Sequence, residues 1–278
     1  MKFTAPLHAF THWEKNTPDQ LMFHQPFNQG SVKMSYKEAG IEIRKIAQAL
    51  IAMDYAPKSK IALLSKNCSH WIMADLAIQM AGHISVPIYP TINANSIAEI
   101  MSHSESKAVI VGKLDNYEAQ RSGLEGFTKI GIKAYQVEEK LNWEDMVAQN
   151  EALTEVPEQN PEDLLTIMYT SGTTGSPKGV MHRVGSFNAV TNTAVSAIAI
   201  NASKPRFFSY LPLTHIAERI GIEMFGLYQG GSFNFPLSIE TFADDLAATQ
   251  PDLFFAVPRI WTKFQDSILN TIPQKKLD

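Results

Sequence analysis

Cysteine is almost absent. Cys68 is the only one in 278 residues, so no disulfide can form within the chain. That suits a reducing compartment, the cytoplasm. Basic charge is not in excess: 24 Lys and Arg stand against 28 Asp and Glu, a net charge of −4. A general nucleic-acid binder needs a basic surface, so that class is set aside, while a local basic pocket stays compatible with the total. No run of 18 apolar residues occurs, so no transmembrane helix is expected, and peripheral contact with a membrane stays open. The start, Met1-Lys2-Phe3-Thr4-Ala5-Pro6, has no apolar signal core, and Pro6 and His8 interrupt it. No internal repeat or low-complexity segment is present.

What is present suits a globular α/β protein. The chain is 45% hydrophobic and long enough for a large core, in one domain or two smaller ones. Residues 1–30 read as irregular, broken at Pro18, Pro26 and Gly30. Ser35 and Glu38 form a capping box that predicts a helix from 36 to about 53. Lys60–Leu64 reads as a strand and 69–81 as a helix closed by Gly82. Ile84-Ser85-Val86 is a short strand stopped by Pro87 and Pro90. Ser96 and Glu99 repeat the capping box before a third helix, and Ala108–Val111 is the next strand. The polar stretch 113–163 reads as surface helices and a loop.

Further on, 187–200 predicts a buried helix, 207–211 a strand, and 213 to about 228 a helix ended by Gly230-Gly231. Strands at 232–235 and 253–257 flank a helix over 239–249, and Pro258 opens a last helix. Strands alternating with helices predict an α/β fold of layered, mostly parallel sheets flanked by helices.

One stretch carries the chemistry: Tyr169-Thr170-Ser171-Gly172-Thr173-Thr174-Gly175-Ser176-Pro177-Lys178-Gly179-Val180. The apolar run Leu164–Tyr169 leads into it as a buried strand. Hydroxyls, glycines and one lysine follow with little bulk, which suits a polyphosphate. The Walker A spacing is missing: Pro177 precedes Lys178, and Gly179 follows it. A P-loop NTPase or kinase is therefore disfavoured.

This stretch resembles the signature of the adenylate-forming (AMP-binding) superfamily, which includes acyl- and aryl-CoA synthetases. The resemblance implies that the loop embraces the pyrophosphate part of ATP. Thr170, Ser171, Thr173, Thr174 and Lys178 would contact phosphates or Mg²⁺, with Thr170 the candidate metal contact. Gly172, Gly175 and Gly179 would let the backbone approach. Attack of a carboxylate on the α-phosphorus joins two anions, so the site must neutralise the leaving pyrophosphate. Lys178 is read as a charge clamp rather than a base.

Two further stretches resemble the long-chain fatty acyl-CoA synthetase branch. In Tyr210-Leu211-Pro212-Leu213-Thr214-His215-Ile216-Ala217-Glu218-Arg219, the resemblance implies that His215 lines the acyl-adenylate pocket. Glu218 and Arg219, one residue apart, face differently on a helix, and ion pairs with other groups suit them at least as well as catalysis. In Val257-Pro258-Arg259-Ile260-Trp261, core packing is the preferred role for Trp261 and for the preceding Phe254 and Phe255. Ser65-Lys66-Asn67, Trp71–Ala77 and Gly82–Thr91 look like the structural lobe of the same enzymes, with no catalysis assigned.

The resemblance implies a long-chain fatty acid as substrate, with ATP, Mg²⁺ and coenzyme A. An aryl acid, a short acyl chain or an amino acid is the alternative within the class. A non-catalytic nucleotide- or acyl-binding remnant is the alternative outside it. The family's adenine-binding, ribose-binding and hinge motifs do not occur in these residues. Residues 1–278 are therefore expected to be an incomplete large N-terminal domain, with little or no ligase activity alone.

Overall fold

The computed structural model describes residues 2–170 and 177–271. The first thirty residues prove to be regular. Pro6 opens helix α1 (Pro6–Asn16), at a position where its missing N–H has no intrahelical partner to lose. Strands β1 (Leu21–Phe27) and β2 (Gly30–Ser35) form an antiparallel hairpin. Gly30 supplies the turn at φ +97°, and Pro26 is tolerated near the strand end.

Helix α2 (Tyr36–Ile51) starts at the predicted capping box: Ser35 Oγ accepts the Glu38 N–H, and the Glu38 carboxylate accepts the Ser35 N–H at 2.7 Å. Strand β3 (Lys60–Leu64), helix α3 (Ser69–Met80) and strand β4 (Ile84–Ile88) follow as a parallel crossover unit. β4 runs through Pro87 instead of stopping there, since proline forfeits one N–H but keeps an extended backbone. Helix α4 (Ala94–His103) begins earlier than expected, because Asn93 rather than Ser96 is its cap.

After β5 (Ala108–Val111), the polar stretch adds more than surface helices. It holds α5 (Glu118–Arg121), the strands β6 (Thr128–Gly131) and β7 (Leu141–Asn142), and α6 (Trp143–Gln149), whose Trp143 is fully buried. Next come β8 (Leu164–Thr170), β9 (Lys178–Arg183), α7 (Val184–Ala197) and β10 (Arg206–Phe208). α7 buries only Val184, Phe187 and Thr191, so it is a half-exposed helix rather than the buried one expected. The expected helix after Leu213 is three pieces: α8 (Ile216–Glu218), a π-helical turn Arg219–Met224, and α9 (Phe225–Gln229), closed by Gly230 at φ +63°. Strand β11 (Ser232–Asn234) and helices α10 (Phe242–Thr249) and α11 (Pro258–Thr271) complete the described chain. The strand expected over 253–257 is a single bridge from Leu253 to Phe207. Phe255 and Trp261, expected in the core, are 39% and 52% exposed.

The strands form two sheets. One has seven strands in the order β7-β6-β5-β3-β4-β8-β9, parallel except for the β8–β9 hairpin. The other has four, β10-β11-β1-β2, with an antiparallel pair at one side. α3 lies between the layers. It touches α1, α2 and β1 as well as β3 and β4, and every residue but His70 is buried. A helix apolar nearly all round belongs inside a layered protein. It also carries one charge, Asp75, into that interior.

Candidate functional site

The loop begins and ends on one hairpin. Thr170, the last residue of β8, is the register partner of Lys178, the first residue of β9. Opposed residues in such a ladder hold their Cα atoms about 4.5–5.5 Å apart. A hydroxyl and an ammonium group thus stand side by side, both exposed, at the carboxyl end of β8. Because β8 runs parallel to β4, this is the end of an open α/β sheet at which ligands bind. Ser171, Gly172, Thr173, Thr174 and Gly175 lie outside the described residues.

The base of the hairpin is tightly packed. Gly179 pairs with Tyr169, and a Cβ on Gly179 would stand 2.9 Å from Ile167 Cγ2 and 3.2 Å from Tyr169 Cζ. Glycine is needed here for cross-strand clearance. The Tyr169 hydroxyl shares a 2.7 Å hydrogen bond with His103 Nδ1 of α4, and burial raises the phenol's pKa. Thr166 Oγ1 donates to Ser85 O at 2.9 Å and ties β8 to β4.

The carboxyl ends of both sheets meet at this side. Asn67, just beyond β3, donates through Nδ2 to Ser209 Oγ at 2.9 Å and Leu211 O at 2.6 Å, and its Oδ1 accepts the Leu213 N–H at 3.1 Å. Lys113, beyond β5, donates to Pro236 O and Leu237 O beyond β11. Burial lowers the pKa of that lysine. Tyr89, beyond β4, also has a pKa raised by burial, and an interaction with Thr214 opposes the rise.

His215 caps α8. It is exposed, and its Nδ1 accepts the Ala217 N–H at 3.2 Å. In the neutral ring that places the proton on Nε2. No hydrogen bond or ion pair joins His215 to Thr170 or Lys178 among the described residues. Arg259 is exposed on α11.

Glu218 and Arg219 point inward, and the structural ion pair expected of Arg219 is present. Arg219 Nη2 lies 2.6 Å from Asp75 Oδ1 of α3, and both side chains are fully buried. Its Nε is 2.8 Å from Glu223 Oε2, near enough for an ion pair but not aligned as a hydrogen bond. The guanidinium also sits 4.9 Å from the Trp71 ring centroid. From Asp75 the network continues outward: Gln79 Nε2 donates to Asp75 Oδ2, and Gln159 Nε2 donates to Gln79 Oε1. Burial raises the pKa of Glu223 well above the usual carboxylate range, and raises that of Glu218 to about 8. Arg219 thus lies between Asp75 and Glu223, with Glu218 beside the cluster, and burial favours the neutral form of both glutamates. The sequence offered an ion pair for Arg219 but did not identify Asp75 or Glu223 as its partners.

No group of three or more His, Cys, Asp or Glu among the described residues forms a metal cluster. A divalent cation here would draw its ligands chiefly from phosphate oxygens and a hydroxyl such as Thr170, the usual manner of Mg²⁺. The exposed hairpin mouth, with its hydroxyl and cation, fits that donor set. No described helix is long and apolar enough to cross a membrane.

The model of the AMP-binding enzyme family matches residues 10–277. Fatty acyl-CoA synthetase A of Dictyostelium discoideum is 30% identical over 261 residues, covering 86% of this chain and 38% of that protein. Long chain acyl-CoA synthetase 5 of Arabidopsis thaliana is 32% identical over 247 residues, 81% of this chain and 37% of the relative. The chain thus spans under two-fifths of the length of these relatives. Among solved structures, the N-terminal domain of FACL13 from Mycobacterium tuberculosis superposes with a TM-score of 0.75 at 22% identity, over 89% of this chain and 61% of that one. O-succinylbenzoate coenzyme A synthetase from Bacillus subtilis, solved with AMP, gives 0.76 at 17% identity, over 95% of this chain and 64% of that one. At these identities the superpositions speak for the fold.

Proposed function

The chain belongs to the AMP-binding enzyme family, and from that premise we propose that it is the phosphate-loop part of an ATP-dependent acyl-CoA ligase acting on long-chain fatty acids. The observation that carries this reading is the Thr170–Lys178 pair at the carboxyl end of β8, which flanks a hydroxyl- and glycine-rich loop. The names of the sequence relatives, fatty acyl-CoA and long chain acyl-CoA synthetases, support the substrate class.

In the reaction, a carboxylate oxygen of the fatty acid bonds to the α-phosphorus of ATP, and the bond from that phosphorus to the bridging oxygen of pyrophosphate breaks. The thiolate of coenzyme A then attacks the acyl carbon, AMP leaves, and the thiol proton is released. Lys178 holds the departing pyrophosphate by charge, with the loop hydroxyls of Thr170, Ser171, Thr173 and Thr174 around it. Mg²⁺, held by phosphate oxygens and Thr170, would neutralise the same charge. His215 lines the acyl-adenylate pocket, near the reacting carboxylate. Residues 1–278, under two-fifths of the length of these relatives, form part of a larger nucleotide-binding domain, and the protein works in the cytoplasm, with peripheral contact at membranes.

The test is ATP–pyrophosphate exchange by the full gene product that carries this sequence, across long-chain, short-chain, aryl and amino acids. Exchange strongest with long-chain acids is expected. Exchange strongest with an aryl or amino acid would overturn the substrate class, and none with any acid would overturn the activity. The 278 residues alone are expected to give little or no acyl-CoA; robust turnover by them refutes the reading of an incomplete domain.

A further inference from the structure

The turn that presents His215 is held from inside by one carboxyl group. Glu218 Oε1 accepts the Ser209 hydroxyl at 2.9 Å and the Tyr210 N–H at 3.0 Å. Ser209 Oγ in turn accepts from Asn67, which also grips Leu211 and Leu213. Further along, the Pro212 carbonyl accepts the His215 N–H at 2.8 Å, and the His215 carbonyl accepts the Arg219 N–H at 3.0 Å. Glu218 therefore ties the start of the 209–215 segment to the helix that follows it.

The two oxygens of this fully buried carboxyl are treated unequally. Both donors converge on Oε1, and Oε2 has no partner. An ionised carboxylate, acceptor on both oxygens, would leave one oxygen uncompensated in the interior. A neutral acid accepts both donors on a carbonyl-like Oε1 and leaves only one uncharged O–H on Oε2 without a partner, a smaller cost than a bare charge. We propose that Glu218 is a positioning residue that works as a neutral acid, fixing residues 209–215 so that His215 meets the reacting carboxylate. This rests on the acyl-adenylating reading of the site.

Burial pushes the Glu218 carboxyl up to about 8, in keeping with the geometry. The titratable groups around it are Tyr210, whose hydroxyl pKa is itself raised, and the neighbouring cluster of Arg219, Glu223 and Asp75. The single cation among them is already 2.6 Å from Asp75.

The experiment compares Glu218→Gln, Glu218→Leu and Asn67→Ala in the full gene product. Kinetics of pyrophosphate exchange are measured alongside amide hydrogen exchange at Tyr210 and Leu213. Glutamine offers the same acceptor without a titrating proton, so Glu218→Gln is expected to keep kcat within roughly twofold and to keep the Tyr210 amide protected. Glu218→Leu removes the acceptor. It is expected to lower kcat about tenfold to a hundredfold, the scale on which misplacing a reacting group acts, with KM for ATP little changed. Asn67→Ala should show the same split, and decides the matter if Glu218→Leu fails to fold.

Glu218→Gln as impaired as Glu218→Leu would overturn the proposal, because the ionised carboxylate would then be the working form. Full kcat in Glu218→Leu or Asn67→Ala would overturn it too. If the unsubstituted protein shows no exchange with any acid, the functional reading fails separately. The Tyr210 amide then still decides the neutral-acid tie: loss of its protection in Glu218→Gln sinks it.

Discussion

Arg219→Met should be the most damaging conservative-volume change in the interior. Arg219 and Asp75 are both fully buried, with Nη2 and Oδ1 2.6 Å apart. Removing one partner of a buried pair costs about 3–5 kcal/mol, since the other charge stays without water or counter-ion. Losing the guanidinium over Trp71 adds about 0.5–2 kcal/mol. Methionine fills much of the space, so the cavity contribution is small. The expected loss is about 3.5–7 kcal/mol. With an unfolding entropy of about 2.1 cal/mol/K per residue, each kcal/mol moves the Tm of a chain this long by roughly 1.7 °C. The Tm should fall by roughly 6–12 °C. The double variant Asp75→Asn/Arg219→Met carries no unpaired charge at this position and keeps an amide for Gln79 to meet. It should recover most of the loss. Circular-dichroism melts and urea titrations of the four proteins give the coupling energy. Additive effects of the two substitutions, or a single variant within 1 °C or so of the parent, would refute the reasoning.

Three other outcomes follow from the same geometry. Lys178→Ala should slow pyrophosphate exchange far more than transfer from supplied acyl-adenylate; equal loss in both half-reactions would make the lysine structural. Gly179→Val places a side chain within 2.9 Å of Ile167 Cγ2 and should lose about 1–3 kcal/mol in urea titration, and an unchanged midpoint would contradict the packing. Glu218 holds its proton more tightly when folded, with a pKa raised from 4.5 to about 8. Its stabilising contribution is therefore full below 4.5 and is lost as pH rises through about 8. The parent should lose stability relative to Glu218→Gln across that window, by up to about 1.4 kcal/mol per pH unit, and parallel stability curves would exclude the shift.

Local chemistry made parts of the fold readable. The Ser35–Glu38 capping box, the run into Thr170 and the glycine after α9 each announce themselves within a few residues. The β1–β2 hairpin does not, because Pro26 and Gly30 look like breaks until β11 pairs with β1. β6 and β7 extend the far side of the large sheet, where partial exposure leaves no clean apolar run. At the site, Thr170 and Lys178 were legible as residues, but their pairing came only from the ladder register. Asn67 stood in a stretch with no catalysis assigned, and Glu218 on a helix where an ion pair suited it as well as catalysis. Their joint grip on 209–213 spans over 140 positions of sequence, a distance no local pattern records.

The strand that presents Lys178 is also the last strand of its sheet. Among the described residues, no strand pairs with the outer side of β9, and Val180 and Met181 stand 43% and 66% exposed there. Natural edge strands are guarded by charge, proline or a bulge, because an open ladder accepts any passing strand. Here the guards are Lys178 and Arg183 at the two ends, and Arg183 is engaged with Glu162 at 2.6 Å. The middle of the strand is unguarded. The exposed apolar middle of this edge and the lysine proposed to hold pyrophosphate share one strand, so a charge introduced at Met181 would improve solubility only as far as it left the Thr170–Lys178 register intact.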